Sequence, residues 1–262
     1  MDEIKNMTRE DMQDLVKKTN FDERFLTKDY YITRLLFDLK DIKNAFFKGG
    51  TALQKTLLEH ARLSEDIDFT VTKNIYQVEQ EIRSILYTEE FITKVEKDKS
   101  VHQFVRLVIH YDNFRGRDDT IFIDLNERAK LALDTETSKI NHLYPEFIPS
   151  FSFPTLCKEE MIAEKMAATI GRNKPRDHFD LYTLIQKGFP INLDLVKKKC
   201  KQSGNELTII NMFNKAKKLK NRWDEDMGSL LPEEVSFQEV MKKLAHHFHL
   251  KKEKDKLKNK KE

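Results

Sequence analysis

Residues 48–69 read KGGTALQKTLLEHARLSEDIDF, and the fold is decided within them. Two consecutive glycines, Gly49 and Gly50, let the backbone turn tightly and come close to a ligand. Phe46 and Phe47 lead into the turn as a short strand, and residues 52–60, ALQKTLLEH, read as a helix. A helix that starts at such a turn aims its unpaired N–H groups and positive dipole end at it, which makes a phosphate site. Asp66 and Asp68 follow on DIDFTV, residues 66–71, where apolar and polar side chains alternate. Ile67, Phe69 and Val71 face one way and Asp66, Asp68 and Thr70 the other. Carboxylates at i and i+2 of a strand share one face, about 7 Å apart. They repel each other unless a cation is present. Mg²⁺ (or Mn²⁺) suits them, because Mg²⁺ takes one or two protein carboxylates plus phosphates and water. Alone, Asp-X-Asp also fits a solvated strand end; the glycine turn and helix just upstream give it a chemical reading.

A third acid fits the same picture. In TIFIDLN, residues 120–126, Ile121, Ile123 and Leu125 share a face and Asp124 takes the other, flanked by Phe122 and Asn126. An acid in an apolar strand is costly unless exposed or paired. If this strand lies beside 66–71, Asp66, Asp68 and Asp124 converge, and three acids can hold two metal ions roughly 3.5–4 Å apart for an in-line phosphoryl displacement. Asp124 then binds the second ion or accepts the proton of an attacking hydroxyl; the alternative is an exposed strand face.

Outward from this segment, residues 8–40 read as helical, with Thr8 and Asp11 spaced to cap the start. Residues 75–87 read as a helix, 101–111 and 120–126 as strands joined by a turn at 113–119, and 158–170, 177–186 and most of the remainder to about 249 as helical. The expectation is an α+β chain: residues 1–155 form a mixed-sheet core with N-terminal helices, and 156–262 a helical domain with a Lys-rich tail. In the helix EEMIAEKMAATI, residues 159–170, Lys165 has apolar neighbours on nearly every side. Its ammonium is either aimed into a cleft, as a point-charge partner for a triphosphate, or simply snorkels. In GRNKPRDHFDLY, residues 171–182, Pro175 precedes a new helix, Asp177 is placed to cap or open it, and Asp180 lies one turn further on beside Arg172, Lys174 and Arg176.

The chain has 262 residues, 35% of them charged, with a formal net charge of +3. Residues 251–262 carry seven Lys against three acids, a surplus of +4 that leaves the rest near neutral. This tail either touches RNA phosphates or is a solubilising extension. Cys157 and Cys200 match no CxxC pattern, so neither a disulfide framework nor structural zinc is expected. His246, His247 and His249 lack the carboxylate or Cys spacing of a metal site. The start, MDEIKNMTREDMQDLVKK, is polar and no run reaches a membrane span, so a cytoplasmic protein without membrane contact is expected. There is no P-loop motif and no GxGxxG dinucleotide fingerprint.

The motifs together resemble the AbiEii/AbiGii toxin family of nucleotidyltransferases. The first motif is matched by Lys48-Gly49-Gly50-Thr51-Ala52-Leu53 and Arg62-Leu63-Ser64-Glu65-Asp66-Ile67-Asp68-Phe69, the later ones by Glu164-Lys165 and Arg176-Asp177-His178-Phe179-Asp180-Leu181-Tyr182. The resemblance implies a polymerase-β-like nucleotidyltransferase core with an added helical domain. It implies Asp66 and Asp68 as metal-binding catalytic acids, Lys165 as the nucleotide-contacting lysine and Asp180 as the late catalytic acid. Lys48, Gly49, Gly50, Thr51, Arg62, Ser64, Asp124, Arg176 and Asp177 complete the expected substrate-binding set. Family members are toxins of toxin–antitoxin or abortive-infection systems; some add nucleotides to tRNA 3′ ends, and a cognate antitoxin usually accompanies them. The chain departs from nucleotidyltransferases at large at Gly50, where a Ser hydroxyl commonly helps hold the triphosphate; Thr51 is the hydroxyl next in line. The same acids also suit a metal-dependent nuclease or phosphohydrolase, or a protein that binds a nucleotide without turning it over.

Overall fold

The computed structural model describes residues 4–258, and the chain divides into two units, Met1–Cys157 and Lys158–Glu262. The first begins with α1 (Arg9–Thr19), opened by the expected capping box: Thr8 accepts from the Asp11 backbone while Asp11 accepts from that of Thr8. The helical span 8–40 holds two helices. Asn20 ends α1 in the left-handed conformation (φ 60°), and Asp22 caps α2 (Glu23–Asp38).

The strands are β1 (Ala45–Lys48), β2 (Asp66–Val71), β3 (Ile92–Val101), β4 (Phe104–Asn113), β5 (Arg117–Asn126), β6 (Glu136–Lys139) and β7 (Ser152–Thr155). Among the described residues they form one seven-stranded sheet ordered β3-β4-β5-β2-β1-β7-β6. It is mixed as expected: β2 pairs with β5, and β1 with β7, in parallel, and the other pairs are antiparallel. The crossing helix α4 (Ile75–Leu86) packs against β3, β4 and β5. It buries Ile75, Val78, Ile82 and Leu86, a helical stripe, while the sheet buries Leu107, Ile109, Ile121, Ile123, Ile67 and Phe69.

Three short-range expectations change. The strand read as 101–111 is β4 alone, with Val101 ending β3 before a tight turn in which Gln103 has φ 57°. β3, ITKVEKDKSV, escapes a periodicity search because it is an edge strand that buries only Val95, and two register irregularities interrupt its pairing. Lysines and bulges on an edge also discourage pairing with another chain. The helix read as 52–60 is α3 (Gly49–Thr56): it starts at the glycines and stops early, because Glu59 and His60 take left-handed φ of 53° and 57°. β6 and β7 are too short to have been legible.

A buried ion pair fixes α3. Lys55 Nζ lies 2.8 Å from Asp29 Oδ1 on α2 and donates to Thr33 Oγ1 at 2.8 Å, while the Tyr144 hydroxyl donates to Asp29 Oδ2 at 3.1 Å. Burial alone would raise the Asp29 pKa, but the Lys55 charge overrides it and keeps the carboxyl ionised.

The second unit comprises α5 (Lys158–Gly171), α6 (Pro175–Gln186), α7 (Leu193–Gln202), α8 (Ala216–Met227), α9 (Phe237–His247), α10 (Leu250–Lys258) and two short 3₁₀ turns, Ile209–Met212 and Gly228–Leu230. α6 starts at Pro175, two residues before the position read from sequence, with Lys174 as its N-cap. Of the Lys-rich tail, 251–258 lie on α10 and 259–262 are outside the described residues. No helix among the described residues is long and apolar enough to cross a membrane. Cys157 and Cys200 form no disulfide among the described residues.

Candidate active site

β1 delivers the chain to Gly49, whose φ of +81° suits glycine and strains any other residue. α3 begins there, with Lys48 as an N-cap whose side chain makes no capping bond. The first N–H groups of any helix have no partner within it, so this end presents donors and a positive dipole. β1 lies antiparallel to β2 with Lys48 opposite Asp68, which sets the acid strand beside the turn. The contact is close: a Cβ at Gly49 would lie 2.2 Å from Asp68 Oδ2. Only glycine leaves that carboxylate its place. Asp66 and Asp68 are half-exposed, while Ile67, between them, is buried on the opposite face.

The residues around the turn hold it from behind. Thr51 is almost wholly buried; its hydroxyl lies 2.9 Å from Ser64 Oγ and also donates to the Asp66 carbonyl oxygen. That corrects the expectation of a Thr51 hydroxyl facing a triphosphate: it ties α3 to the start of β2 instead. Arg62, at 2% exposure, is also internal, and its Nη1 donates to the Leu63 carbonyl at 2.7 Å. A Cβ at Gly50 would meet Arg62 Nη2 at 2.9 Å and Ser64 Oγ at 3.4 Å. The guanidinium thus occupies the space a serine side chain would need, a physical reason for Gly50. It also sets a positive charge directly behind the turn.

Asp124 is where the strand argument put it, but not as a bare carboxylate. β5 lies parallel to β2 with Asp124 opposite Asp68 and Phe122 opposite Asp66. Both Asp124 oxygens accept from Arg106 on β4, Nε and Nη2 donating at 2.7 Å each. The sequence reading overlooked Arg106. Its signal was the alternation in VHQFVRLVIHY, which puts Arg106 on the face opposite buried Val105 and Leu107.

In the second unit the remaining expected residues form their own network. Lys165 Nζ lies 2.9 Å from Asp177 Oδ1 and 2.8 Å from Asp180 Oδ2. Arg172 adds a two-pronged grip on Asp177 at 2.6 and 2.7 Å. Lys165 is 5% exposed, and both acids are fully buried. Burial would raise the Asp177 pKa, yet Lys165 and Arg172 hold it well below the usual carboxylate range. Asp177 sits in the first turn of α6 rather than at its cap. Here Lys165 and Asp180 join α5 to α6 as an ion-pair network, so Asp180 is not an open acid. Glu164 bonds Lys199 of α7 at 2.9 Å, and Arg176 is half-exposed in the first turn of α6.

Among the described residues no three or more His, Cys, Asp or Glu side chains form a ready-made metal site. Two carboxylates on one strand face beside a phosphate-suited turn still fit a Mg²⁺ ion whose other ligands are phosphate oxygens and water.

Residues 33–243 match the family described as "Nucleotidyl transferase AbiEii toxin, Type IV TA system". Among curated proteins no sequence matches the chain. Solved structures share the fold. MenT4, a nucleotidyltransferase toxin of Mycobacterium tuberculosis H37Rv, aligns with a TM-score of 0.66 at 17% identity, covering 93% of this chain and 89% of its own. A nucleotidyltransferase described as putative from Helicobacter pylori gives 0.62 at 20% identity, covering 90% and 98%. JHP933 of the same organism gives 0.61 at 20% identity, covering 92% and 100%. Since the family match spans most of its length, the chain belongs to the AbiEii nucleotidyl transferase toxin family: it is a transferase of the toxin–antitoxin kind, which implies an NTP substrate and an antitoxin partner.

Proposed function

We propose that this transferase moves a nucleoside monophosphate from an NTP to the 3′ end of an RNA, a tRNA foremost, in a Mg²⁺-dependent reaction. It acts in the cytoplasm as a toxin restrained by its antitoxin, in growth control or phage defence. The observation that carries the reading is the contact between Asp68 and Gly49, which puts a carboxylate against a turn suited to phosphates. The α3 N-terminus orients the triphosphate, with Arg62 adding charge from behind the turn. Asp66 and Asp68 would hold the divalent ion, which would neutralise charge on the phosphates. The acceptor hydroxyl then attacks the α-phosphorus in line and gives up its proton to solvent, the α–β bridging bond breaks and pyrophosphate leaves. Positioning and charge neutralisation provide most of the acceleration.

Charge distribution favours a polyanionic acceptor. Residues 158–262 hold 24 Lys and Arg against 16 Asp and Glu, a net of +8, while residues 1–157 hold 23 against 28, a net of −5. A basic helical unit gives a sequence-independent, salt-sensitive attraction for nucleic acid. The test is incubation of the protein with each α-labelled NTP, Mg²⁺ and total cellular RNA, with and without chelator. Label entering RNA only with free Mg²⁺ supports the reading. Release of mononucleotides from RNA without incorporation would indicate a nuclease instead.

A further inference from the structure

The face of the sheet that carries Asp66 and Asp68 continues onto β5 and β4. Register places two rows across it: Asp68, Asp124 and Arg106 in one, Asp66, Phe122 and Val108 in the next. Phe122, Val108 and Arg106 are half-exposed, whereas their neighbours on the opposite face, Ile121, Ile123 and Leu107, are buried. An aromatic ring thus stands beside the first catalytic acid, with an arginine over it: Arg106 Cζ is 5.1 Å from the Phe122 ring centroid.

Arg106 is held rigidly. Its side chain is 36% exposed and that of Asp124 14%, so the acid is the inner anchor and the guanidinium the outer group. A two-pronged carboxylate grip fixes the plane of a guanidinium as well as its position. The grip uses Nε and Nη2, and among the described residues Nη1 has no protein acceptor. A planar cation with one edge clamped and another open, next to an aromatic ring, suits two groups found together in a single-stranded polynucleotide: a phosphate and an unstacked base.

We propose that Phe122 and Arg106 form the acceptor platform of this enzyme, Phe122 stacking a base near the 3′ end of a single-stranded RNA and Arg106 binding a backbone phosphate, with Asp124 acting as a positioning residue for Arg106. This rests on the transferase reading above for its purpose, but not for its measurement. It assigns Asp124 a role distinct from the second-metal ligand that the sequence indicated.

The experiment uses the full chain with Arg106→Lys, Phe122→Leu, Asp124→Asn and the Arg106→Lys/Asp124→Asn pair. Melting temperatures show that each variant is folded. Binding of a fluorescent single-stranded RNA is measured without NTP, and label transfer is measured against RNA and Mg²⁺ concentration. Stacking on an aromatic is worth roughly 1–3 kcal/mol per base, so Phe122→Leu weakens RNA binding about 5-fold or more. Arg106→Lys keeps the charge but loses the fork, and weakens it about tenfold. Asp124→Asn matches Arg106→Lys, and the pair is no worse than either single change, since both act through one guanidinium. In transfer, the acceptor KM rises by the same factors while the Mg²⁺ concentration for half-maximal rate stays put. If Asp124→Asn raises the Mg²⁺ requirement and leaves RNA affinity unchanged, Asp124 is a metal ligand and the proposal fails. It fails equally if the variants bind RNA like the wild type, or if the wild type binds no RNA. Wild-type RNA binding that these variants weaken, without nucleotide transfer, would support the platform and overturn only the transferase reading.

Discussion

Asp68 and Asp180 were both read from sequence as catalytic acids, and the fold treats them differently. Asp68 stands half-exposed on a strand, its carboxylate against the backbone of Gly49. Asp180 is fully buried, 2.8 Å from the ammonium of Lys165. A carboxylate beside helix N–H groups, on a face open to ligand, can recruit a cation and phosphates; one enclosed with a lysine also ties two helices together. A motif names the residue type, but its surroundings decide between chemistry and architecture.

The sharpest challenge to this contrast is Lys165→Met. It leaves two buried acids with part of their compensation gone, and removing one partner of a buried pair costs about 3–5 kcal/mol. Chemical denaturation should therefore show a markedly less stable protein. Unchanged stability with transfer abolished would return Lys165 and Asp180 to the catalytic roles read from sequence. Gly49→Ala comes next. It forces a left-handed φ on alanine and drives a methyl group into Asp68, so it should cost on the order of 1–3 kcal/mol and disrupt activity disproportionately. Normal activity in that variant would mean the contact is dispensable.

How far the sequence reveals the fold depends on the segment. The alternation in DIDFTV and the glycine pair before ALQ were legible because each follows from one local rule, a period of two or a turn that needs no side chain. β3 was not, because an exposed edge strand has no buried face to impose a pattern. The pairing of Arg106 with Asp124 and the inward turn of Thr51 were not, because strand register sets the one and tertiary packing the other. Gly50 became explicable only when Arg62 was found behind it. Lys165 was legible as a lysine with a buried stem; its partners, Asp177 and Asp180, lay in view one helix further on, but nothing local paired them with it.

A smaller effect tests whether an acid outside both clusters behaves as its surroundings dictate. Asp38, at the end of α2, has a buried Oδ2 with no hydrogen-bond partner among the described residues, and burial, with Glu89 nearby, pushes its pKa up to about 7. The unfolded value is near 3.9, so between these values the native state holds a proton that the unfolded state has lost, and stability falls as pH rises through that window. Asp38→Asn removes the titration. Allowing for partial exposure, it should gain about 1–2 kcal/mol at pH 8 and little at pH 4, read from melting curves at both. An equal effect at the two pH values would contradict the raised pKa.

The central claim, that Asp68 against the glycine turn is the site of nucleotidyl transfer, is tested most directly by Asp68→Asn. Transfer of label from α-labelled NTP to RNA is measured across Mg²⁺ concentrations beside the melting temperature. The account predicts a loss of about 100- to 1,000-fold, the scale for losing one element of transition-state charge stabilisation, in a protein that melts like the wild type. Transfer at the wild-type rate, with the same Mg²⁺ dependence, would contradict it.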